Sequence, residues 1–277
     1  MDHENAYEEL PPAVRAAYLE RIGVPDPGAP SAAGLARLQE AHLRAVPFEN
    51  LSVHLGEPIV LDPAALVAKV VDRRRGGFCY ELNGAFAELL RSLGYRVSLL
   101  AARVFGGEQP GPPFDHLALR VDLDEPWLAD VGFGRFTRLP VRLDGRAEQS
   151  DPHGTVLLRP YGDDGDLDVL LDGVPQYRIG RRPYPLADFV PTCWWHATSP
   201  KSPFARGTTC SMLTADGGRA TLNGTRLVRT APDGTRTEEE LTEAAALSAY
   251  REHFGIVLDR LPVAASAGTS GSPTGPA

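Results

Sequence analysis

The segment 75–83 reads Arg-Gly-Gly-Phe-Cys-Tyr-Glu-Leu-Asn and places a cysteine, Cys79, just after a two-glycine turn. Apolar residues then recur at helical spacing through Leu82 and Phe86, so Cys79 is predicted to begin a helix. Unpaired N–H groups and the positive end of the helix dipole stabilise a thiolate at that position. We therefore expect Cys79 to be an activated nucleophile, with the arginines at 73–75 acting in the same direction.

A cysteine nucleophile needs a base, and the base needs a group that orients it. His116 begins the alternating run 116–122, which predicts a strand that would hold the imidazole rigidly. Asp130 lies in the next predicted strand, 127–131, where an aspartate among apolar residues is costly unless it has a partner. Two adjacent antiparallel strands would bring these side chains together. Each residue alone also has a structural interpretation, but in the order Cys, His, Asp they predict thiol-based catalysis.

The elements that must position these residues change in character along the chain. Helices are predicted over 10–22, 33–45 and 64–72, followed by the cysteine helix, so residues up to about 90 are typical of a helical bundle. Short β-prone segments bounded by Gly, Pro or Asp then predict an antiparallel sheet or small barrel. These segments are 95–105, 116–123, 127–131, 155–159, 167–171 and 176–180.

The remaining sequence predicts a second, smaller mixed region. Residues 186–197 are ambiguous between helix and coil. Three segments joined by Gly-containing turns predict a β-meander: 210–215, 219–222 and 225–230. A helix is predicted over 238–254, with the acidic run Glu238-Glu239-Glu240 as its solvated start. The Ser-, Gly- and Pro-rich tail from residue 264 is predicted to be disordered.

Composition and charge restrict the class of protein. With 277 residues, 43% hydrophobic and 23% charged, the chain is typical of a soluble protein of one to three domains. The net charge is −8, and no basic block contains interleaved aromatic residues, so we expect no nucleic-acid partner. The acidic N-terminus is unlike a signal peptide, and no apolar run approaches the roughly 20 residues of a membrane helix. We therefore expect no membrane partner. Three cysteines without metal-like spacing predict a free thiol in a reducing cytoplasm.

Together with these patterns, the chain resembles the arylamine N-acetyltransferases. The resemblance rests on segment 75–83 and, in the family's order, on 47–51 (Pro-Phe-Glu-Asn-Leu), 130–134 (Asp-Val-Gly-Phe-Gly), 194–204 (Trp-Trp-His-Ala-Thr-Ser-Pro-Lys-Ser-Pro-Phe) and 254–256 (Phe-Gly-Ile). It implies an α+β fold of three domains with a cysteine-protease-like catalytic core. The implied parts are a helical bundle over 1–90 that carries the nucleophile, an antiparallel β-barrel over 91–187 that carries the histidine and aspartate, a connection over 188–203, an α/β lid over 204–263 and a disordered tail over 264–277.

The resemblance also implies the chemistry and the site. Members of the family transfer an acetyl group from acetyl-CoA, through a cysteine thioester, to an arylamine, arylhydrazine or N-hydroxyarylamine, without a metal and as part of xenobiotic metabolism. Cys79 would be the nucleophile, His116 its base and acid, and Asp130 the orienting carboxylate. Further residues at family positions are Phe48, Phe133 and Phe204 for substrate binding and Gly132 and Gly134 for cofactor binding.

One position departs from the family pattern, since Asp115 stands where threonine usually precedes the histidine. On a strand the Asp115 side chain is expected to point to the face opposite His116, which would limit its effect on the imidazole. His196 lies in a family-like segment but has no obvious carboxylate partner. Glu49 is expected to form a buried ion pair with one of the arginines at 73–75 and to brace the cysteine turn.

Three other functions are compatible with these residues. An amide synthase of the same family would use the same triad but take its acyl group from a carrier-bound polyketide thioester. A transglutaminase-like thiol hydrolase also has Cys, His and Asp in this order and would turn over peptides or amides without CoA. A non-catalytic binding module would leave the triad without a role.

Overall fold

The computed structural model describes residues 10–263, so the tail predicted to be disordered, 264–277, lies outside the described residues. The helices are α1 (Pro12–Arg21), α2 (Ala32–Ala45), α3 (Leu51–Leu55), α4 (Pro63–Val71), α5 (Cys79–Ser92), α6 (Val190–Thr198), α7 (Pro203–Arg206) and α8 (Glu243–Phe254). The strands are β1 (Phe48–Glu49), β2 (Arg96–Val104), β3 (His116–Asp122), β4 (Pro126–Ala129), β5 (Val141–Arg142), β6 (Gln149–Asp151), β7 (Gly154–Tyr161), β8 (Asp166–Leu171), β9 (Val174–Pro183), β10 (Cys210–Leu213), β11 (Arg219–Asn223), β12 (Arg226–Thr230) and β13 (Arg236–Glu240).

Local sequence signals set the helix boundaries in the N-terminal region. Asp62 caps α4, because its Oδ1 accepts a hydrogen bond from the Ala65 N–H at 3.0 Å. The Ser31 hydroxyl caps α2 in the same way, accepting from the Gly34 N–H at 3.1 Å. Helix α5 is buried along most of its length and packs against α4 and β3. The three helices predicted upstream of the cysteine helix are confirmed, and α5 is the element around which they pack.

Eight antiparallel strands form the central sheet in the order β5-β4-β3-β2-β9-β8-β7-β6. In the described part of the chain, its edge strands β5 and β6 are joined by a side chain and not by backbone pairing. The Gln149 side chain accepts a hydrogen bond from the Arg142 N–H at 2.7 Å and donates one to the Arg142 carbonyl at 3.0 Å. The sheet is therefore a nearly closed barrel, and its interior holds an apolar cluster that includes Leu158, Val169 and Tyr177.

A second sheet, in the order β1-β10-β11-β12-β13, packs against α8. Its first strand comes from far upstream, since Phe48 and Glu49 of β1 pair with Ser211 and Cys210 of β10. The predicted helical bundle up to about residue 90 therefore also contains a short strand that the sequence analysis did not predict. A two-residue strand is too short to show alternation, and its partner lies far along the chain.

The helix predicted over 238–254 begins later, at Glu243, so the assignment of the acidic run to a helix start is wrong. Glu238 lies in β13, an exposed edge strand that pairs with β12. Arg226 of β12 contacts the Glu238 carboxylate at 3.3 Å. Such cross-strand pairs of opposite charge compensate for the weak strand propensity of glutamate. The Thr242 side chain then caps α8.

The ambiguous segment 186–197 folds into a 3₁₀ turn, Leu186–Phe189, followed directly by α6. Helices α6 and α7 lie between the barrel and the second sheet in chain order, and both contribute residues to the site described below. Among the helices described within residues 10–263, none is long and apolar enough to cross a membrane.

Candidate active site

Cys79 is the first residue of α5 and follows a turn that only glycine permits. A side chain at Gly76 would collide with the backbone carbonyl of Pro47, so the two segments approach too closely for any Cβ. The Cys79 side chain is buried and lies within hydrogen-bond reach of the His116 side chain. The turn therefore fixes where the sulfur lies and which group it faces.

Buried charges support this turn from behind. Lys69 Nζ contacts Glu81 Oε1 at 2.5 Å, and each side chain is 5% exposed. The other Glu81 oxygen accepts a hydrogen bond from the Phe78 N–H at 3.3 Å, at the start of α5. Arg75 Nε contacts Glu49 Oε1 at 2.9 Å, which confirms the expected ion pair and identifies its arginine. Because the Arg75 guanidinium is paired with Glu49, it stabilises the glycine turn and does not act on the Cys79 thiol.

Strand pairing brings His116 and Asp130 together. His116 begins β3 and Asp130 directly follows β4, and these neighbouring antiparallel strands align Leu119 with Ala129. His116 Nε2 lies 2.7 Å from Asp130 Oδ2, and the two side chains are 2% and 1% exposed. The other ring nitrogen, Nδ1, is thereby left for the thiol of Cys79. The structure brings together the three residues that the sequence analysis singled out.

Asn83 is a further site residue, to which the sequence analysis gave no role. It lies one helical turn after Cys79 on α5, and its Nδ2 donates to Asp130 Oδ1 at 2.9 Å. Its Oδ1 accepts from the Val131 N–H at 2.9 Å, so a single amide holds both the carboxylate and the loop after β4. The available signal was its spacing, because a residue four positions after Cys79 lies on the same face of the predicted helix.

The charge of the site depends on His116. Burial by itself lowers the pKa of the imidazole, but the charge and hydrogen bond of Asp130 outweigh it and raise that pKa to about 10. The Asp130 carboxylate therefore favours the imidazolium form of His116. Burial raises the pKa of the Cys79 thiol, and His116 opposes that rise. The expectation of a thiol with a lowered pKa is wrong, because burial raises the pKa of Cys79 more than His116 lowers it.

The loop after β4 closes over the cysteine. A Cβ at Gly132 would lie 2.7 Å from the Cys79 Cα and 2.7 Å from Asn83 Nδ2, so this position also requires glycine. The Gly132 N–H donates to Asp130 Oδ1 at 2.9 Å. The glycine thus allows the loop to carry the carboxylate close to the start of α5.

A cavity of about 380 Å³ opens onto the sulfur. Its wall includes Cys79, His116 and the three phenylalanines that the sequence analysis assigned to the substrate. The Phe48 and Phe204 ring centroids lie 6.1 Å apart, and the Phe133 ring stands edge-on to His116 at 5.2 Å. An apolar, ring-lined cavity of this size suits a flat aromatic molecule.

The two glycines assigned to the cofactor lie differently with respect to this cavity. Gly132 is part of the wall. Gly134 has a φ of +87°, and a Cβ there would lie 3.7 Å from the Phe48 ring, so it shapes the turn beside the wall. Within residues 10–263, no group of three or more His, Cys, Asp or Glu side chains is placed to hold a metal ion.

Comparison with known proteins agrees with this geometry. Residues 32–263 match the sequence profile of a family described as N-acetyltransferase. Over 254 residues the chain is 37% identical to the arylamine N-acetyltransferase of Mycolicibacterium smegmatis, a match that covers 88% of this chain and 92% of that protein. The chain belongs to the arylamine N-acetyltransferase family. The family resemblance inferred from the motifs is thereby confirmed.

Two further arylamine N-acetyltransferases are informative about the family. A Salmonella typhimurium relative, named arylamine N-acetyltransferase / N-hydroxyarylamine O-acetyltransferase, is 37% identical over 218 residues, covering 77% of this chain and 78% of that protein. The structure of the Mycobacterium marinum arylamine N-acetyltransferase in complex with CoA aligns with a TM-score of 0.77 at 33% identity. That alignment covers 87% of this chain and 92% of the M. marinum chain.

This member of the arylamine N-acetyltransferase family has a second carboxylate–imidazole pair in the cavity wall. His196 Nε2 lies 2.9 Å from Asp115 Oδ1, so the expectation that His196 lacks a carboxylate partner is wrong. The expectation that Asp115 points away from the His116 face is also wrong, since both residues line the cavity. Strand alternation does not reach Asp115, because β3 begins at His116 and Phe114 turns the chain at a φ of +61°.

Proposed function

We propose that this chain transfers an acetyl group from acetyl-CoA, through a thioester on Cys79, to the nitrogen of an arylamine, arylhydrazine or N-hydroxyarylamine. The observation that carries the proposal is a buried cysteine facing a carboxylate-paired imidazole in a cavity lined by aromatic rings. Support comes from the family, from the printed activities of the Salmonella relative and from the CoA complex of the M. marinum enzyme.

The first half-reaction would acetylate the cysteine. The Cys79 proton passes to His116, which leaves a thiolate beside an imidazolium, and the sulfur attacks the thioester carbonyl of acetyl-CoA. Backbone N–H groups at the start of α5 would stabilise the tetrahedral oxyanion. The C–S bond to CoA then breaks, and His116 gives its proton to the leaving thiolate. The products are acetyl-Cys79, a neutral His116 and free CoA.

The second half-reaction would return the site to its starting state. The amine nitrogen attacks the acetyl-Cys79 carbonyl, and neutral His116 takes the proton that the nitrogen loses. The bond between the acetyl carbon and the sulfur breaks, releasing the amide and restoring the thiolate–imidazolium pair. Asp130 holds the imidazole in one orientation through both steps and stabilises its charged form.

The remaining assignments extend the same proposal. Phe48, Phe133 and Phe204 would hold the aromatic ring of the acceptor, and Gly132 and Gly134 would belong to the loop next to CoA. We further propose the organisation into a nucleophile-bearing bundle (1–90), a barrel (91–187), a connection (188–203) and a lid (204–263), with a cysteine-protease-like core. A cytoplasmic location and a place in xenobiotic metabolism stay predictions.

Intact-mass spectrometry with acetyl-CoA tests the first half-reaction directly. We expect wild type to gain one acetyl group and to lose it when an arylamine is added, with the amide as product. Cys79→Ala should gain none. Cys193→Ala is the matched control, because Cys193 is also buried and free but lies outside the cavity wall, and it should react as wild type does.

The same assay with other substrates, and with Cys79→Ala, gives the outcomes that would contradict the proposal. Cleavage of peptides or amides in the absence of CoA would indicate a thiol hydrolase. Acylation only from a carrier-bound thioester would indicate an amide synthase, and turnover by Cys79→Ala equal to wild type would leave the triad without a catalytic role.

A further inference from the structure

The Asp115 and His196 side chains lie in the wall of the same cavity as the nucleophile, and within the described residues they form hydrogen bonds with each other, with Val104 and with Ser202. The Asp115 and His196 side chains are 11% and 4% exposed, so the pair is largely shielded and the carboxylate keeps some access to the cavity. Asp115 Oδ2 also accepts a hydrogen bond from the Val104 N–H at 3.2 Å. A carboxylate offers about four lone-pair sites. The contacts with His196 and Val104 occupy two of them, so Asp115 can still accept hydrogen bonds from a bound molecule.

Hydrogen bonds hold the His196 ring at both of its nitrogens. Ser202 is fully buried, and its Oγ accepts from the Phe204 N–H at 3.1 Å. The same Oγ lies 3.3 Å from His196 Nδ1, and His196 Nε2 lies 2.9 Å from Asp115 Oδ1. The ring is thereby fixed, and it holds the Asp115 carboxylate in the cavity wall.

The rest of the wall offers an anion little compensation. Among the described residues that line the cavity, Asp115 is the one carboxylate, and none is lysine or arginine. The wall is otherwise formed mainly by aromatic rings, Pro, Gly and Val, and the His116 ring in it is already paired with Asp130. A negatively charged ring substituent near Asp115 would therefore meet that carboxylate at low dielectric without a lysine or arginine to balance the two charges.

We propose that Asp115, held by His196, is a specificity-determining residue that selects the acceptor by charge. It favours arylamines whose ring carries a hydrogen-bond donor or a cation and disfavours those that carry a carboxylate. The inference deepens the proposed function and rests on it, because the aromatic acceptor must occupy this cavity. An amine nitrogen at Cys79 places the ring among the phenylalanines, and the ring substituents then lie inside the cavity that Asp115 lines.

The test compares three anilines that differ only at the para position: 4-aminobenzoate, 4-aminobenzamide and 4-aminobenzamidine. Their kcat/KM values with acetyl-CoA are each divided by the rate of the same amine with a small acetyl thioester, which removes intrinsic nucleophilicity. Like charges roughly 7 Å apart at an effective dielectric constant of about 20 repel enough to change a rate ratio roughly 50-fold. Allowing for solvent screening, wild type should favour the amide over the carboxylate at least about 10-fold.

Asp115→Asn should reduce that preference to within about 3-fold, because it removes the charge and nearly preserves the shape. Glu108→Gln is the matched control, since Glu108 is an exposed carboxylate of the neighbouring loop outside the cavity wall, and it should keep the wild-type ratio. An unchanged ratio in Asp115→Asn overturns the inference. So does a wild type that prefers 4-aminobenzoate, a result that does not depend on the folding of any variant.

Calorimetric dissociation constants of the same anilines separate this inference from the proposed function. If acetyl-Cys79 forms and the ratios are flat, the selectivity inference is wrong and the proposed function stands. If acetyl-Cys79 does not form, the proposed function fails. The dissociation constants then decide the inference, since wild type must still bind the amide at least about 10-fold more tightly than the carboxylate.

Discussion

Replacing Asp130 with asparagine would convert one oxygen of the site into an N–H donor. Asp130 Oδ1 accepts from Asn83 Nδ2 and from the Gly132 N–H, both at 2.9 Å, and Oδ2 accepts from His116 Nε2 at 2.7 Å. The carbonyl oxygen of the introduced amide must keep the first two contacts, so the amide nitrogen would face the imidazole. His116 must then accept at Nε2 and carry its proton on Nδ1, toward Cys79, where an acceptor is needed.

The structure sets the size of this effect. Burial lowers the pKa of His116, but the charge and hydrogen bond of Asp130, with a smaller contribution from Cys79, raise that pKa from 6.5 to about 10. Without the carboxylate, burial alone lowers the pKa of His116, so the ring is neutral at pH 7 and no longer favours the thiolate. The equivalent change in a serine protease triad lowers kcat about 10⁴-fold, and we expect Cys79 acetylation to slow roughly 10³–10⁴-fold.

Rapid-quench intact-mass spectrometry at saturating acetyl-CoA measures this rate without an acceptor. Asp168→Asn is the matched control, because Asp168 is a buried carboxylate paired with Arg178 at 2.7 Å on the barrel and lies outside the cavity wall. It should acetylate within about 3-fold of wild type, since it removes no group that orients His116. Acetylation of a folded Asp130→Asn enzyme within tenfold of wild type would refute the assigned role of the carboxylate.

Three further predictions concern the surroundings of the site. Lys69→Met leaves the buried Glu81 charge unpaired, so it should lower the free energy of unfolding, measured in urea, by about 3–5 kcal/mol. Adding Glu81→Gln should restore part of that free energy. If it restores none, the unpaired charge is not the cause of the loss. A Cβ at Gly132 would lie 2.7 Å from the Cys79 Cα, so Gly132→Ala should slow acetylation roughly 100-fold, and an unchanged rate would show that the loop can move freely. Burial lowers the pKa of His42 to about 3, so its contribution to stability is present above pH 6.5 and falls by roughly 2 kcal/mol by pH 5. In urea titrations at each pH, His42→Gln should therefore show a smaller loss of unfolding free energy between pH 6.5 and pH 5. An equal loss in wild type and variant would contradict the assignment.

The triad could be predicted because each member lies in a segment whose structure is set locally. The glycine pair and the apolar spacing after Cys79 predict a helix start without reference to the rest of the chain. His116 and Asp130 belong to strands joined by a short connection, and such strands usually pair as neighbours. Their contact at 2.7 Å follows from that adjacency.

The features that the sequence did not show depend on contacts between distant segments. His196 and Asp115 are separated by 81 positions, and the left-handed turn at Phe114 that aims the carboxylate into the cavity breaks the alternation used to place it. The strand containing Glu238 is stabilised by arginines on its neighbour, which outweigh the weak strand propensity of glutamate. Charge pairs of this kind become visible only once the register of the two strands is known.

Strands β10–β13 of the second sheet supply no residue to the cavity wall. The second sheet is nevertheless connected to the nucleophile through its first strand, β1. The Glu49 N–H donates to the Gly77 carbonyl at 2.8 Å, and the Glu49 carboxylate pairs with Arg75. Strand β1 therefore contacts the glycine turn on both sides of Gly76. The same two residues of β1 pair with β10. Any shift of the second sheet would therefore be passed through Glu49 to the turn that sets the position of Cys79. Through this pairing, β10 of the segment that we propose as a lid is connected to the turn that supports the nucleophile.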